Sequence, residues 1–360
     1  MITRRGAAAP VPLIVDVDTG IDDALALLLA VGSPELDVVA VTCVSGNVPA
    51  KQVGVNTRAV LELAGRGNIP VALGRETPLR KPLGTAEDTH GPQGLGHAEL
   101  PPPTHALADW HAADLIAQAA RAKPSEITLV TLGPLTNLAV ALEREPKLPR
   151  LLRGWTLMGG AYRSSGNTTP TAEWNIHVDP DAAQQAFEAW AAAVAKDETI
   201  PLPLAMGLDV TEQSRFIPEH LRAIAVRAGA RPPEAEVLAH EPVTAVGSVA
   251  ENRILKFIVD AVRFYFEFHA TNDGFYGAYI HDAFAIAATM TRALVQTKPV
   301  FVDVETGSGP AHGMTVADWR GLTKRAPNLD VAVSGNSDAF LRFLVDRLGG
   351  LASNTSRVAR

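Results

Sequence analysis

The sequence predicts an α/β protein: a single large domain on a doubly wound, mostly parallel (mixed) sheet flanked by helices. Three observations carry that expectation. Short apolar, β-branched runs alternate with helical patterns along most of the chain. The 360 residues show no internal repeat and no low-complexity linker, which suits one large α/β domain with insertions. The first strand-like run ends in a crowd of aspartates, and ligands in such sheets sit beyond the carboxyl ends of the strands.

The elements follow in order. Residues 13–17 form a buried strand, and 22–31 a helix with acids in its first turn, where the helix dipole favours them. A second strand spans 37–44, a helix 50–64 ends at Gly65, and a short strand covers 70–73. The stretch 75–105, rich in proline, glycine and histidine, is too long for an ordinary connection and reads as functional or disordered. Then come helix 107–122, strand 127–132, helix 135–143, strand 154–158, a polar loop 159–174 and helix 181–194. Strand 202–205, helix 219–228 and a long helix 249–270 follow, the last aromatic near its end (Phe264, Tyr265, Phe266, Phe268). Helix 283–290, late strands 300–305 and 330–333 and a closing helix 337–348 complete the pattern. The expected domain is 12–350, between a disordered lead-in 1–11 and a tail 351–360.

Composition narrows the partners. A net charge of −7 argues against nucleic acid and anionic membranes. No run approaches the ~18 apolar residues of a membrane span, and the N-terminus lacks the apolar core of a signal peptide. The single cysteine, Cys43, lies in an apolar run and reads as a small core residue. It excludes an internal disulfide framework and points to a reducing, cytoplasmic setting.

Four segments carry candidate chemistry. Asp16, Asp18, Asp22 and Asp23 fall within eight residues at a strand-to-helix turn. One or two acids there would be helix and turn formers; four repel one another unless a cation sits among them, and all-oxygen ligands favour Ca²⁺ or Mg²⁺ over zinc. Leu132-Gly-Pro-Leu-Thr-Asn137 follows a strand and opens a helix, so its first carbonyls can face the same crevice, although Gly-Pro is commonly just a turn. Met158-Gly-Gly160 with Asn167, Glu173, Trp174 and Asn175 offers the amides and carboxylate that suit vicinal hydroxyls, or else a solvated loop. His281-Asp282 precedes an apolar helix; Asp282 is by default an N-cap, and His281 is a proton donor or a surface residue.

Together these segments resemble the inosine–uridine-type nucleoside hydrolases, the ribonucleoside N-glycohydrolases. Asp16-Val-Asp-Thr-Gly-Ile-Asp-Asp23 is similar to that family's N-terminal motif. Gly46-Asn47, His90-Gly91 with Gly94-Leu95-Gly96, Gly133-Pro-Leu-Thr-Asn137, Met158-Gly-Gly160, Asn167 through Asn175 and His281-Asp282 match later segments in family order.

The resemblance implies a Rossmann-like nucleoside hydrolase fold and Ca²⁺-dependent cleavage of purine or pyrimidine ribonucleosides to free base and ribose, a salvage reaction. It implies Ca²⁺ held by Asp18, Asp23, the carbonyl of Leu132 and Asp282, with Asp18 also the general base on the ion's water. By the same resemblance Asp22, Asn175 and Asp282 grip the 2′- and 3′-hydroxyls, and Asn167 and Glu173, with Met158, face the 5′-hydroxyl. Asn47 supports the ribose and metal end, Trp174 presses on the pocket, and Asp16 orients the ligands from behind. His90 lines the base side, and His281 protonates the leaving nitrogen. A small-molecule nucleoside is then the partner, and a homodimer or homotetramer the expected assembly. Thr19 stands where many relatives have proline, and Trp174 where phenylalanine is common. The base-lining segment 264–279 varies most; Tyr265, His269, Phe275 and Tyr276 are candidates for base contact or for plain packing.

Three alternatives compete. A haloacid-dehalogenase-type phosphotransferase also starts with a strand and Asp-x-Asp, but expects Thr or Val where Gly20 stands. A Ca²⁺-dependent nucleoside-binding protein without turnover would have no need of Asp18 and His281 together. A hydrolase of an unusual ribosyl compound would keep the same fold.

Overall fold

The computed structural model describes residues 9–240 and 247–358. The strands are β1 (Val11–Val17), β2 (Leu36–Cys43), β3 (Val71–Leu73), β4 (Thr128–Thr131), β5 (Gly154–Met158), β6 (Leu204–Met206), β7 (Arg215–Phe216), β8 (Ala278–Tyr279), β9 (Val295–Val300), β10 (Val302–Val304), β11 (Thr315–Ala317) and β12 (Leu329–Gly335). Eight of them form one sheet in the order β3-β2-β1-β4-β5-β6-β12-β9. All neighbours are parallel except β9, which runs antiparallel to β12 at the edge. The expected doubly wound mixed sheet is therefore present. Its strand order reverses at β1 and β4, which opens a crevice at their carboxyl ends.

The strands are apolar on both faces because helices cover both. Along β1, Leu13, Val15 and Val17 point into one core while Ile14 enters the other, the two-residue alternation of a strand. The first core packs helices Ile21–Val31, Asp282–Met290 and Ser337–Val358; the second packs Ala112–Ala122, Thr136–Arg144 and Pro180–Val194. Cys43 is wholly buried, and burial pushes its thiol up to about 12, as expected of a core residue.

Several boundaries differ from expectation for local reasons. The helix expected from 107 starts at Ala112, where His111 Nδ1 accepts from the Ala113 N–H. The long helix expected over 249–270 is broken. A short turn, Gly247–Ala250, precedes helix Arg253–Asn272, whose cap Asn252 accepts from the Ile254 and Leu255 N–H groups. The single strand expected at 300–305 is two elements: β9 closes the main sheet, while β10 pairs only with β11 in a separate hairpin. The closing helix continues to Val358, so 351–358 extends the fold instead of forming a tail. Val11 already belongs to β1; of the rest of the expected lead-in, 9–10 are described outside any element, while 1–8 and the last two residues of the chain lie outside the described residues. Among the described residues no helix is long and apolar enough to cross a membrane.

Candidate active site

The Asp motif begins inside the sheet and ends on a helix. Asp16 is in β1, paired with Thr42 and Thr131, and Asp18 lies just past the strand. Asp22 and Asp23 occupy the first turn of helix Ile21–Val31, which Gly20 caps. The Asp23 carboxylate reaches back to accept from the Gly20 N–H at 2.9 Å and the Asp18 N–H at 3.2 Å, holding the turn closed. Asp282 arrives from the far end of the chain. It is the first residue of its helix, not the N-cap, a place taken by His281. One oxygen each of Asp22, Asp23 and Asp282 lie within 4.8 Å of one another.

Backbone packs tightly around Asp18. Its Oδ2 accepts from the Asn47 N–H at 2.8 Å. A Cβ on Gly46 would stand 2.1 Å from that oxygen, and one on Gly133 would stand 2.8 Å from Oδ1. Only glycine permits this approach. Asp18 Oδ1 is left buried with no partner. Asn47 Nδ2 donates to Asp23 Oδ2 at 3.1 Å, linking the two acids. Behind them Asp16 Oδ1 accepts from Thr42 at 2.6 Å and from Asn137 at 2.8 Å, while its Oδ2 is also buried and unpartnered.

This arrangement is electrostatically costly by itself. Burial and then mutual repulsion raise Asp18 and Asp282 well above the carboxylate range, and raise Asp22 to about 8. Burial also raises Asp23, and lifts Asp16 to about 7. A hard cation resolves the conflict: the donor set is all oxygen, Asp18 Oδ1 lacks a partner, and the three-carboxylate cluster supplies charge. The residues present fit such an ion.

Most of the expected ribose and base residues converge on the same crevice. The Leu132 carbonyl, just beyond β4, accepts from Asn175 Nδ2 at 2.7 Å, and the Met158 carbonyl accepts from the same nitrogen at 3.2 Å. A carbonyl has two lone pairs, so Leu132 keeps one for a cation, and Asn175 keeps its Oδ1. Glu173 caps helix Trp174–Val178, accepting from the Asn175 and Ile176 N–H groups, and also from that of Gly160. That structural task was not foreseen, and the Trp174 start of this helix shortens the expected polar loop. Asn167 stands on the exposed rim, its Oδ1 accepting from the Trp174 N–H at 3.0 Å, and the Trp174 indole N–H is buried without a partner.

The long loop 75–105 delivers His90. It turns on Gly91, Gly94 and Gly96, all at positive φ. His90 Nδ1 accepts from the Ile21 N–H at 3.2 Å, which leaves the ring hydrogen on Nε2. His281 is held at Nδ1, 2.8 Å from the Thr211 hydroxyl. Burial drives both histidines down to about 3, assisted by His269. Thr211 was missed because it lies after β6, with no sequence signal linking it to His281. Among the aromatic candidates, Tyr265 lies 5.5 Å from His90 and Phe275 stacks on His269 at 5.6 Å. Tyr276 turns away, stacking on His240 and donating to the Ala239 carbonyl.

A Rossmann-like sheet with a buried, oxygen-rich acidic cluster at its switch point is a place where a hard cation and a small ligand could be held together. The family described as inosine-uridine preferring nucleoside hydrolase matches residues 13–342. The chain belongs to that family and is a nucleoside hydrolase, an N-glycosyl hydrolase by class. It is 36% identical to the pyrimidine-specific ribonucleoside hydrolase RihA of Citrobacter koseri, over 95% of this chain and 99% of that one. Among solved structures it resembles a purine-preferring ribonucleoside hydrolase from Gardnerella vaginalis, with a TM-score of 0.82, 28% identity, and 95% and 99% coverage. It also resembles the plant nucleoside hydrolase PpNRh1, with a TM-score of 0.81, 31% identity, and 94% and 99% coverage.

Proposed function

We propose that this chain hydrolyses the N-glycosidic bond of ribonucleosides with the help of Ca²⁺, Asp18 serving as general base. The observation that carries the reading is the buried, unpartnered Oδ1 of Asp18 beside the Asp22, Asp23 and Asp282 carboxylates. Asp18, Asp23, Asp282 and the Leu132 carbonyl would hold the cation. When bound, it supplies the positive charge that lowers the pKa of an attacking water and fixes the ribose diol.

The protein's own groups account for the rest. Asp22, Asp282 and Asn175 Oδ1 accept from the 2′- and 3′-hydroxyls, while Asn47 holds the acids in place. Met158, Asn167 and Glu173 surround the 5′ end, and Trp174 closes over it. Asp18 takes a proton from the water as its oxygen bonds to C1′. The C1′–N pair leaves onto the base, and the buried carboxylates stabilise the positive charge that develops on the sugar. His90, with its hydrogen on Nε2, faces the leaving base. His281 gives its Nε2 proton to the leaving nitrogen from the imidazolium form and ends neutral, its Nδ1–H staying on the Thr211 hydroxyl, which itself donates to the Gly207 carbonyl at 3.2 Å. Attack opposite the base gives inversion at C1′.

Relatives named pyrimidine-specific over nearly the whole chain support trying uridine and cytidine first. Cytoplasmic placement is supported by the lone buried Cys43. A homodimer or homotetramer is the expected working form. The test is a panel of purine and pyrimidine ribonucleosides assayed for free ribose, with and without chelator. Ribose release that stops on chelation and returns with Ca²⁺ is expected; turnover indifferent to chelation would overturn the metal assignment.

A further inference from the structure

Helix Ala50–Leu63 supplies none of the clustered carboxylates, yet two consecutive residues of it reach the Asp motif. Asn56 and Thr57 are buried, and both hold Thr19, which is wholly buried between Asp18 and Gly20. Thr57 Oγ1 lies 2.6 Å from Thr19 Oγ1. Thr57 gives its one hydroxyl hydrogen to the Val53 carbonyl at 2.8 Å, so Thr19 is the donor of the pair. Asn56 Nδ2 donates to the Thr19 carbonyl at 3.1 Å. One helix therefore grips Thr19 by its hydroxyl and by its carbonyl.

The grip is braced from behind. Gln52 Nε2 donates to Asn56 Oδ1 at 2.8 Å, which fixes the amide's orientation, and the second hydrogen of Asn56 Nδ2 goes to the Gln93 carbonyl at 2.7 Å. Burial keeps the Cys43 thiol protonated, and Cys43 Sγ lies 3.4 Å from Thr57 Oγ1, where it donates to the remaining lone pair. The N–H groups of Asp18 and Gly20, before and after Thr19, both go to the Asp23 carboxylate. The turn is thus strung between Asp23 and helix Ala50–Leu63. A shift of Thr19 disturbs Asp18 and Asp23 together.

We propose that Thr57 is a positioning residue which, with Asn56 beside it, fixes Thr19 and so sets the spacing of the Asp18 and Asp23 carboxylates for a divalent cation. The inference rests on the Ca²⁺-dependent reading above. A buried donor stripped of its acceptor finds no water in its place, so Thr19 moves or stays unpaired when Thr57 loses its hydroxyl. Partners that stand behind a metal's ligands set ion affinity by roughly ten- to a hundredfold. That range is the loss expected on removing the Thr19–Thr57 bond.

The test titrates Ca²⁺ into chelator-stripped protein by calorimetry, with Tm in chelator and ribose release from nucleosides measured beside it. Thr57→Val keeps the shape but not the acceptor, and raises the Ca²⁺ Kd by that factor. Thr57→Ser keeps the hydroxyl and binds as the wild type does. Thr19→Val removes the same bond from its other end and weakens binding comparably, which serves if Thr57→Val does not fold. When Thr19→Val and Thr57→Val are combined the losses do not add, because both substitutions break one bond. A bond that is only structural lowers Tm in chelator and leaves the Ca²⁺ Kd of the folded protein unchanged. That result, or an equal loss in Thr57→Ser and Thr57→Val, overturns the assignment. Wild-type protein that takes up no Ca²⁺ overturns the Ca²⁺ reading itself, and this assignment with it.

Discussion

Asn137 and Asp16, brought together from β4's following helix and from β1, share a buried hydrogen bond of 2.8 Å. The same Asn137 nitrogen donates to the Cys43 carbonyl at 3.0 Å, at the end of β2. One amide thus ties two strand ends to the helix that opens the crevice. Asn137→Ala strips both acceptors, and a loss of about 1–3 kcal/mol is expected. Denaturant midpoints measure it; an unchanged midpoint would count against the linkage.

Asp18→Asn keeps the shape and the bond from the Asn47 N–H, yet cannot take a proton. A fall of at least ~10²-fold in kcat is expected. Near-normal kcat would remove Asp18 from the role of base.

Gly46→Ala puts a methyl 2.1 Å from Asp18 Oδ2, so the carboxylate must move. Displacements of this kind cost roughly 10²-fold in rate. Gly154→Ala is the matched control, since nothing lies within 4 Å of its added Cβ. Steady-state rates equal in the two variants would sink the argument.

Without a cation, stability should depend on pH in a defined direction. Asp22 is raised from 3.8 to about 8, by burial first and Asp23 second. A raised folded-state pKa contributes stability that is complete below 3.8 and lost as pH climbs through about 8. In chelator, Tm should therefore fall between those limits. Excess Ca²⁺ favours the ionised acids and should flatten the slope. A chelated Tm that ignores pH would contradict the buried-charge account.

Thr211→Val removes the hydroxyl at His281 Nδ1. We expect kcat on nucleosides to drop about tenfold, less than the ~10²-fold or more of removing an acid catalyst outright, with KM little changed. p-Nitrophenyl riboside, whose leaving group needs no proton, should be spared, and Thr211→Ser should restore activity. A uniform loss on both substrate types would mean Thr211 is structural only.

The Asp motif and the alternation of strands and helices were legible because both are local: a crowd of like charges and a hydrophobic period need no distant partner. The antiparallel edge strand β9 was hidden because its pairing with β12 is settled across the fold, and its own residues, with Lys298 and Pro299, read as neither buried strand nor helix. Asn137 was visible in a motif, but its task at Asp16 was not. Thr211 and Thr42 carried no signal, since ordinary threonines acquire a role only through what the fold sets beside them. Glu173 was visible as a polar candidate, but its further task as a helix cap was not, because capping depends on backbone N–H groups that side-chain patterns do not reveal.

The meeting of Asp282 with Asp22 and Asp23 joins the beginning of the chain to a helix near its end. Closing so long a loop is slow and comes late when contacts of high sequence separation dominate. The three-carboxylate cluster is then absent from a half-folded chain and complete only in the native one. An ion that binds native protein alone slows unfolding more than it speeds folding. A cation held there would be, in kinetic terms, a latch applied after the structure has closed.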